Sequence, residues 1–353
     1  MPRDAYLNDI STAVPDHDVH RKFIDYAPTL LSDERHRAVF QRMADRCQID
    51  HRYSALRASP QPGQLDADGF YAGGGFPDTE TRMRFYRAHA LPLAKRALDG
   101  LNLHARKDDI THLILTTCTG FYAPGLDIEV VEHYGLRSSV ERTIVGFMGC
   151  YAGMNALKLA RHIVRSDAGA HVLILNLELC TLHLQKTDSL EQMLSFLIFA
   201  DGCSASIVSA EPKGIEMQSF TSAVMPDSAD QITWAIGGSG FDMNLSGKVP
   251  GTIAAGLPGC LNNILDGHGA DKFRHWAIHP GGRTILDAVR SGADLQEDLL
   301  QSSRRVLRNY GNMSSATIMF VLKDIMRQGI GRGCGMAFGP GLTVESMLFQ
   351  QAA

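Results

Sequence analysis

The sequence predicts an α/β protein built of two similar halves. Three observations carry that expectation. Short runs such as THLILTTC (111–118) and HVLILNLEL (171–179) are continuously apolar and read as strands of a sheet covered on both faces. Between them lie helical patterns such as YAGMNALKLARHIVRS (151–166). The 353 residues are too many for one ordinary core, and the strand–helix grammar resumes after a break near Glu211 to Gly214. The expected halves are residues 1–212 and 213–353.

In chain order, residues 1 to about 60 read as mostly helical, most clearly in SDERHRAVFQRMADRCQIDHRY, where Arg35, Arg42 and Arg46 share one helical stripe. The Pro/Gly-rich segment 59–80 predicts a surface loop, followed by a helix from Thr81 to Leu98. Strand THLILTTC, helix GLDIEVVEHYG, strand RTIVGF and a helix from Tyr151 come next. Strand HVLILNLEL, helix LEQMLSFLIF and strand CSASIVSAE complete the first half. The second half reads as a polar-flanked region to about Asp271, strand RHWAIH and helix RTILDAV. After these come helices LQEDLLQSSRRVLRNYG and SSATIMFVLKDIMRQ, then strands CGMAFG and TVESMLFQ around a Gly-Pro-Gly turn.

Composition narrows the function. With 34 Lys+Arg against 38 Asp+Glu and a formal charge of -4, the chain lacks the basic excess of a nucleic-acid or anionic-membrane binder. No apolar run reaches the roughly 18 residues that span a bilayer. The start has no basic region followed by an apolar core, so no signal peptide is expected, and the protein is expected to be cytoplasmic. Seven scattered cysteines without a Cys-x-x-Cys pair suit reduced thiols and predict neither a disulfide frame nor a metal site.

Most free cysteines simply pack. Cys150 stands apart, because GFMGCYAGMNALKLA places it where a strand ends and a largely buried helix begins. A helix N-terminus favours the thiolate, and Gly149 and Gly153 leave room for a backbone or a ligand. A thiolate nucleophile needs an imidazole. HWAIHPGGRTIL supplies His279 at the end of an apolar strand, before an open Gly281-Gly282 turn. In NYGNMSSATIMFVL, Asn312 fits a helix cap and equally a donor to an oxyanion.

Five ordered motifs, GCYAG, FADG, HPGG, GNMSSAT and FGPGLTVE, give the chain a family resemblance over nearly its full length. It resembles the type III polyketide synthases, the homodimeric thiolase-fold group that includes chalcone synthase. The resemblance implies a five-layer α/β/α/β/α fold of two pseudo-duplicated halves, with Cys150 from the first and His279 and Asn312 from the second. It implies that Cys150 takes an acyl group from acyl-CoA, while His279 and Asn312 bind the malonyl-CoA carbonyl and stabilise the enolate left by loss of CO2. No cofactor beyond the CoA thioesters is implied, and the partner is a second copy of the chain.

The same resemblance makes Phe199 a gatekeeper, where the bland alternative is a core aromatic, and places the second gatekeeper at Met243. Arg42 and Arg46 match two positions of a CoA-binding basic cluster. The third is Val39, a departure that Arg35 could offset on the same face, the alternative being a solvated basic stripe. Gly281 and Thr284 match the pantetheine-contacting turn. Cys118, Thr119, Cys180, His183, Ser195, Trp234 and Ser314 fall where the family's cavity is lined, and Ala123 where a loop reaches the neighbouring subunit. Trp234 and His183 replace smaller groups, which argues against a coumaroyl starter and for aliphatic ones. The competing readings are a single-condensation relative, such as an initiating ketoacyl synthase or a hydroxymethylglutaryl-CoA synthase, and a non-catalytic acyl-CoA binder or thiol redox sensor.

Overall fold

Neighbouring residues of a strand face opposite sides of a sheet, and in this chain both sides are covered. The structure, a computed structural model, describes residues 4–72 and 76–351. Its first half contains strands β1 (Tyr6–Ala13), β2 (His17–Asp18) and β3 (Tyr53–Ser54), with helices α1 (His20–Tyr26) and α2 (Glu34–Arg46). Helices α3 (Thr79–Asp99) and α4 (Leu103–Arg106), strand β4 (His112–Thr117), helix α5 (Leu126–Tyr134) and strand β5 (Glu141–Gly146) follow. Helix α6 (Ala152–Ser166), strand β6 (Val172–Leu179), helix α7 (Leu190–Ile198) and strand β7 (Asp201–Ser209) complete it.

The second half begins with β8 (Ile215–Val224), the hairpin β9 (Ile232–Gly237) and β10 (Gly240–Leu245), and helix α8 (Val249–Ile264). Strand β11 (His275–Ile278) and helices α9 (Arg283–Gly292), α10 (Gln301–Tyr310) and α11 (Thr317–Ile325) precede the closing strands β12 (Gly331–Gly339) and β13 (Thr343–Gln351). Nine strands form one mixed ribbon in the order β11-β12-β13-β8-β1-β7-β6-β4-β5. The halves meet where β1 pairs with β8 through only two residue pairs, Tyr6 with Glu216 and Leu7 with Ile215.

Five layers follow from which side chains cluster. Leu113 and Leu115 of β4 pack outward with Leu93 and Leu98 of α3 and Val130 of α5. Ile114, between them, packs inward with Leu157 of α6 and Ile318 of α11, and there it meets Ala337 and Met347 from the other half. On the far side, Met336 and Val344 pack with Ile253 of α8 and Leu286 of α9. Helices α6 and α11 are thus the central layer between two half-sheets, each carrying an outer helical layer. This is the α/β/α/β/α arrangement that the sequence led us to expect.

Three expectations need correction. The first sixty residues are not mostly helical: YLNDISTA forms β1, between β7 and β8 in the sheet. Its buried polar side chains hid it, since Asn8 is needed to donate to the carbonyls of Glu211 and Lys213. The region before Asp271 holds β8, a hairpin and α8, whose Pro258 lies inside the helix. Residues 297–300 and 314–316 are 3-10 turns ahead of α10 and α11, not parts of them. Within the 59–80 loop, Gly73, Gly74 and Gly75 lie outside the described residues.

Candidate active site

Cys150 sits in a 3-10 turn, Gly149–Tyr151, one step ahead of α6. Gly149 is at φ +77°, and a Cβ there would stand 2.5 Å from Pro340 Cδ in the β12–β13 turn. At Gly153 a Cβ would stand 2.5 Å from the Ser315 carbonyl oxygen. The space that the sequence left open at these glycines is therefore taken by the second half of the chain, which seats Cys150 against that half.

His279 follows β11 and extends its ladder, its N–H donating to Met336 O at 2.8 Å. The imidazole is buried, and neither ring nitrogen has a partner. Asn312 uses its two amide atoms differently. Its Oδ1 accepts the Ser314 N–H at 2.9 Å, a local cap-like bond, which turns Nδ2 toward Cys150 Sγ at 3.9 Å. Its main chain bonds to Ile198 O and Ala200 N, so the stretch carrying Phe199 is fixed against it.

Burial dominates the electrostatics. It pushes the Cys150 thiol up to about 11, against the pull of hydrogen bonds from Ser314 and Asn312. It pushes His279 down to about 3. Desolvation of the thiolate thus outweighs the help expected from a half-charge dipole at the helix terminus.

Cys150, His279 and Asn312 line a narrow cavity, together with Cys118, Phe199, Trp234, Met243 and Ser314. Its remaining wall includes Phe338, Gly339 and Pro340 from the end of the chain. Leu245, Val249, Gly281 and Ile285 border both this cavity and a larger outer cleft. Arg46, Gly281 and Thr284 line that cleft. Arg42 and Arg35 are exposed on α2 but outside the cleft lining, and Val39 is half-buried.

Four of the expected cavity residues do not line the cavity. Thr119 and His183 lie behind its wall, where His183 Nε2 donates to Thr119 O at 2.7 Å. Cys180 backs Phe199 and Met243 in a buried apolar cluster. Ser195 faces the outer cleft. For these four the position is near the site, but the side chain turns to another face. Ala123, expected to reach a neighbouring subunit, is exposed on the loop after β4.

The sequence reading missed Glu178 and Arg52. Glu178 is fully buried beside the site and accepts from Cys118 N, Thr119 Oγ1 and Ser315 Oγ. A lone acid inside HVLILNLEL was the available signal. Arg52, also buried, donates to the carbonyls of Phe196 and Phe199 and so pins the segment carrying Phe199. Among the described residues, no three His, Cys, Asp or Glu side chains converge so as to hold a metal ion.

Comparison with known proteins agrees with this geometry. Residues 3–212 match the N-terminal domain of chalcone and stilbene synthases, and residues 216–353 match their C-terminal domain. The chain is 36% identical over 286 residues to the alpha-pyrone synthesis polyketide synthase-like Pks18 of Mycobacterium tuberculosis, covering 76% of this chain and 72% of that one. It is 33% identical over 347 residues to bisdemethoxycurcumin synthase of Oryza sativa subsp. japonica, covering 91% and 83%. The crystal structure of PKS-I from the brown alga Ectocarpus siliculosus superposes with a TM-score of 0.88 at 28% identity, over 100% of this chain and 99% of that one. The type III polyketide synthase domain of Steely1 from Dictyostelium shares the fold, with a TM-score of 0.90 at 24% identity over 99% and 100%. A buried Cys-His-Asn cavity between two thiolase-like halves, both matched along their length, makes this chain a member of the chalcone and stilbene synthase family, the type III polyketide synthases.

Proposed function

We propose that this synthase loads an aliphatic acyl-CoA starter on Cys150, extends it with malonyl-CoA, and closes the chain to an alkylpyrone, alkylresorcinol or phloroglucinol-type product. The observation that carries the reading is one buried cavity holding Cys150, the unpartnered His279 and the Asn312 amide, bordered by the same residues as a cleft leading outward. His279 takes the Cys150 proton; the thiolate attacks the starter thioester, and CoA leaves as its thiolate. Donors from His279 and Asn312 then hold the malonyl thioester oxygen. Loss of CO2 leaves its electron pair as an enolate, whose charge falls on that oxygen. The enolate carbon attacks the Cys150-bound acyl carbon, the sulfur departs, and a β-ketoacyl-CoA two carbons longer remains.

Phe199, Trp234 and Met243 crowd the cavity, a shape that suits a flexible chain better than a rigid aromatic acid. Pks18, the alpha-pyrone relative, supports a pyrone among the products. Arg46, Gly281 and Thr284 are assigned to the CoA arm on the cleft they line. The protein acts in the cytoplasm as a homodimer joined through β5, without a cofactor beyond CoA thioesters. The experiment is incubation with malonyl-CoA and short, medium, long and aromatic acyl-CoAs, with products identified by mass. Multiply extended, cyclised products from aliphatic starters are expected, and Cys150→Ala should carry no acyl adduct. A single β-keto product, or extension by the Ala variant, would overturn the reading.

A further inference from the structure

We propose that the indole N–H of Trp234 is a specificity-determining hydrogen-bond donor to a carbonyl oxygen of the growing poly-β-keto chain, an assignment that rests on the synthase reading above. Trp234 on β9 stands opposite Met243 on β10, and both line the cavity with Cys150. Its ring lies edge-on to Phe147, His183, Phe199 and Phe241, with centroids 6.4, 6.1, 6.5 and 6.4 Å away. Nε1 is buried and has no hydrogen-bond partner. Among the described residues that line the cavity, only His279 is in the same condition.

The imidazole in the aromatic box cannot relieve it. His183 Nδ1 accepts the Phe241 N–H at 3.1 Å, so Nε2 carries the proton and donates to Thr119 O. No lone pair is left for Trp234. A buried donor without an acceptor is unfavourable, and a ligand that brings one is favoured by the difference. A hydrocarbon starter tail brings none. Each condensation adds a carbonyl two carbons from the last, so the chain acquires acceptors only as it extends. The donor therefore distinguishes extended chains from starters and holds one oxygen while the chain folds for ring closure. Bulk at position 234 sets how large the cavity is; the N–H sets which chain conformer it retains.

The test separates the two. Replacing Trp234 by β-(3-benzothienyl)alanine keeps the bicyclic shape and exchanges N–H for sulfur, while Trp234→Phe removes donor and bulk together. The readout is the ratio of fully extended, cyclised product to truncated lactones within one reaction, so a general loss of activity cancels. The benzothienyl protein should lower that ratio about fivefold, the size of one modest hydrogen bond. Loading of Cys150 without any extended product would be the limiting case of the same effect. A wild-type ratio in that variant, whatever Trp234→Phe does, overturns the assignment, as does failure to load Cys150. Failure of the wild-type protein to extend any starter is a different result and overturns the synthase reading itself.

Discussion

Burial pushes the Cys150 thiol up to about 11 and the imidazole of His279, the proposed acceptor of its proton, down to about 3. Neither charge is favourable alone; moving the proton creates both at once, and their mutual attraction is what works against the two desolvation penalties. His279→Gln removes the acceptor. In the wild type, alkylation of Cys150 by iodoacetamide should proceed at neutral pH; in the variant the profile should move upward toward about 11. Identical profiles, read by mass on the Cys150 peptide, would show that the thiol ionises without His279. Glu178 offers a test on stability. Burial raises it from 4.5 to about 7 despite three hydrogen bonds that favour the carboxylate. A raised folded-state pKa stabilises fully below the unfolded value and loses that contribution as pH rises through the folded one. Between about pH 4.5 and 7 the native state holds a proton that the unfolded chain has lost, so this residue's contribution falls by about 3 kcal/mol. Glu178→Gln should therefore flatten the pH dependence of urea midpoints across that window; parallel curves for the two proteins would refute the assignment. At this scale Cys150, His279 and Asn312 were legible because glycines and a proline mark each as a deliberate junction. The cavity wall was less so. Cys118 faces the cavity and Thr119 does not, and that one-residue difference is set by packing against Glu178, sixty residues away.

Helix α2 shows what an element adds to its residues. Asp33 caps it, accepting the Arg35 N–H at 2.7 Å, and Phe40 and Ala44 bury its inner face. Arg35, Arg42 and Arg46 lie on the outside as the seven-and-four spacing indicated, but a stripe runs the length of a helix while a ligand mouth does not. Only the last turn borders the outer cleft, through Met43 and Arg46. The effects of alanine substitution on KM for CoA thioesters should thus decline from Arg46 through Arg42 to Arg35. About a fivefold rise is expected for Arg46→Ala, with kcat little altered and the difference shrinking at high salt. Steady-state kinetics at two ionic strengths decide it; a larger effect at Arg35 would move the phosphate contact to the start of the helix. The failure to read β1 has the converse cause. Its hydrogen-bond partners lie in residues 203–216, some two hundred positions on, and no local pattern in YLNDISTA reports them. By contrast β4 and β6 were legible because burial on both faces demands apolar side chains at nearly every position.

A nine-stranded ribbon has two ends, and this molecule treats them differently. At one end β11 is wholly buried, packed by α11 and the turn Glu297–Leu300. At the other, β5 pairs only with β4, and Glu141 to Ile144 are exposed. Beside that bare edge, Ile144 is 46% exposed, Phe121 37% and Met148 38%, three large apolar side chains left to solvent in neighbouring segments. Ala123 lies on the same side, in the loop between β4 and α5. An edge strand with unpaired backbone groups and an apolar flank is completed most economically by its own copy, since a two-fold axis lets β5 continue the sheet into β5 of a second chain. Symmetry also sharpens the test, because one substitution enters such an interface twice. If Ile144→Asp costs about 2 kcal/mol on each side, the dissociation constant should rise about a thousandfold. Light scattering behind size exclusion should then find the wild type at twice the chain mass and the variant as a monomer at micromolar concentration. The monomer should retain the β-sheet content of the wild type, because the two apolar faces of each half-sheet are covered within one chain. A wild type that runs as a monomer, or an Asp variant that remains a dimer, would place the partner on some other surface.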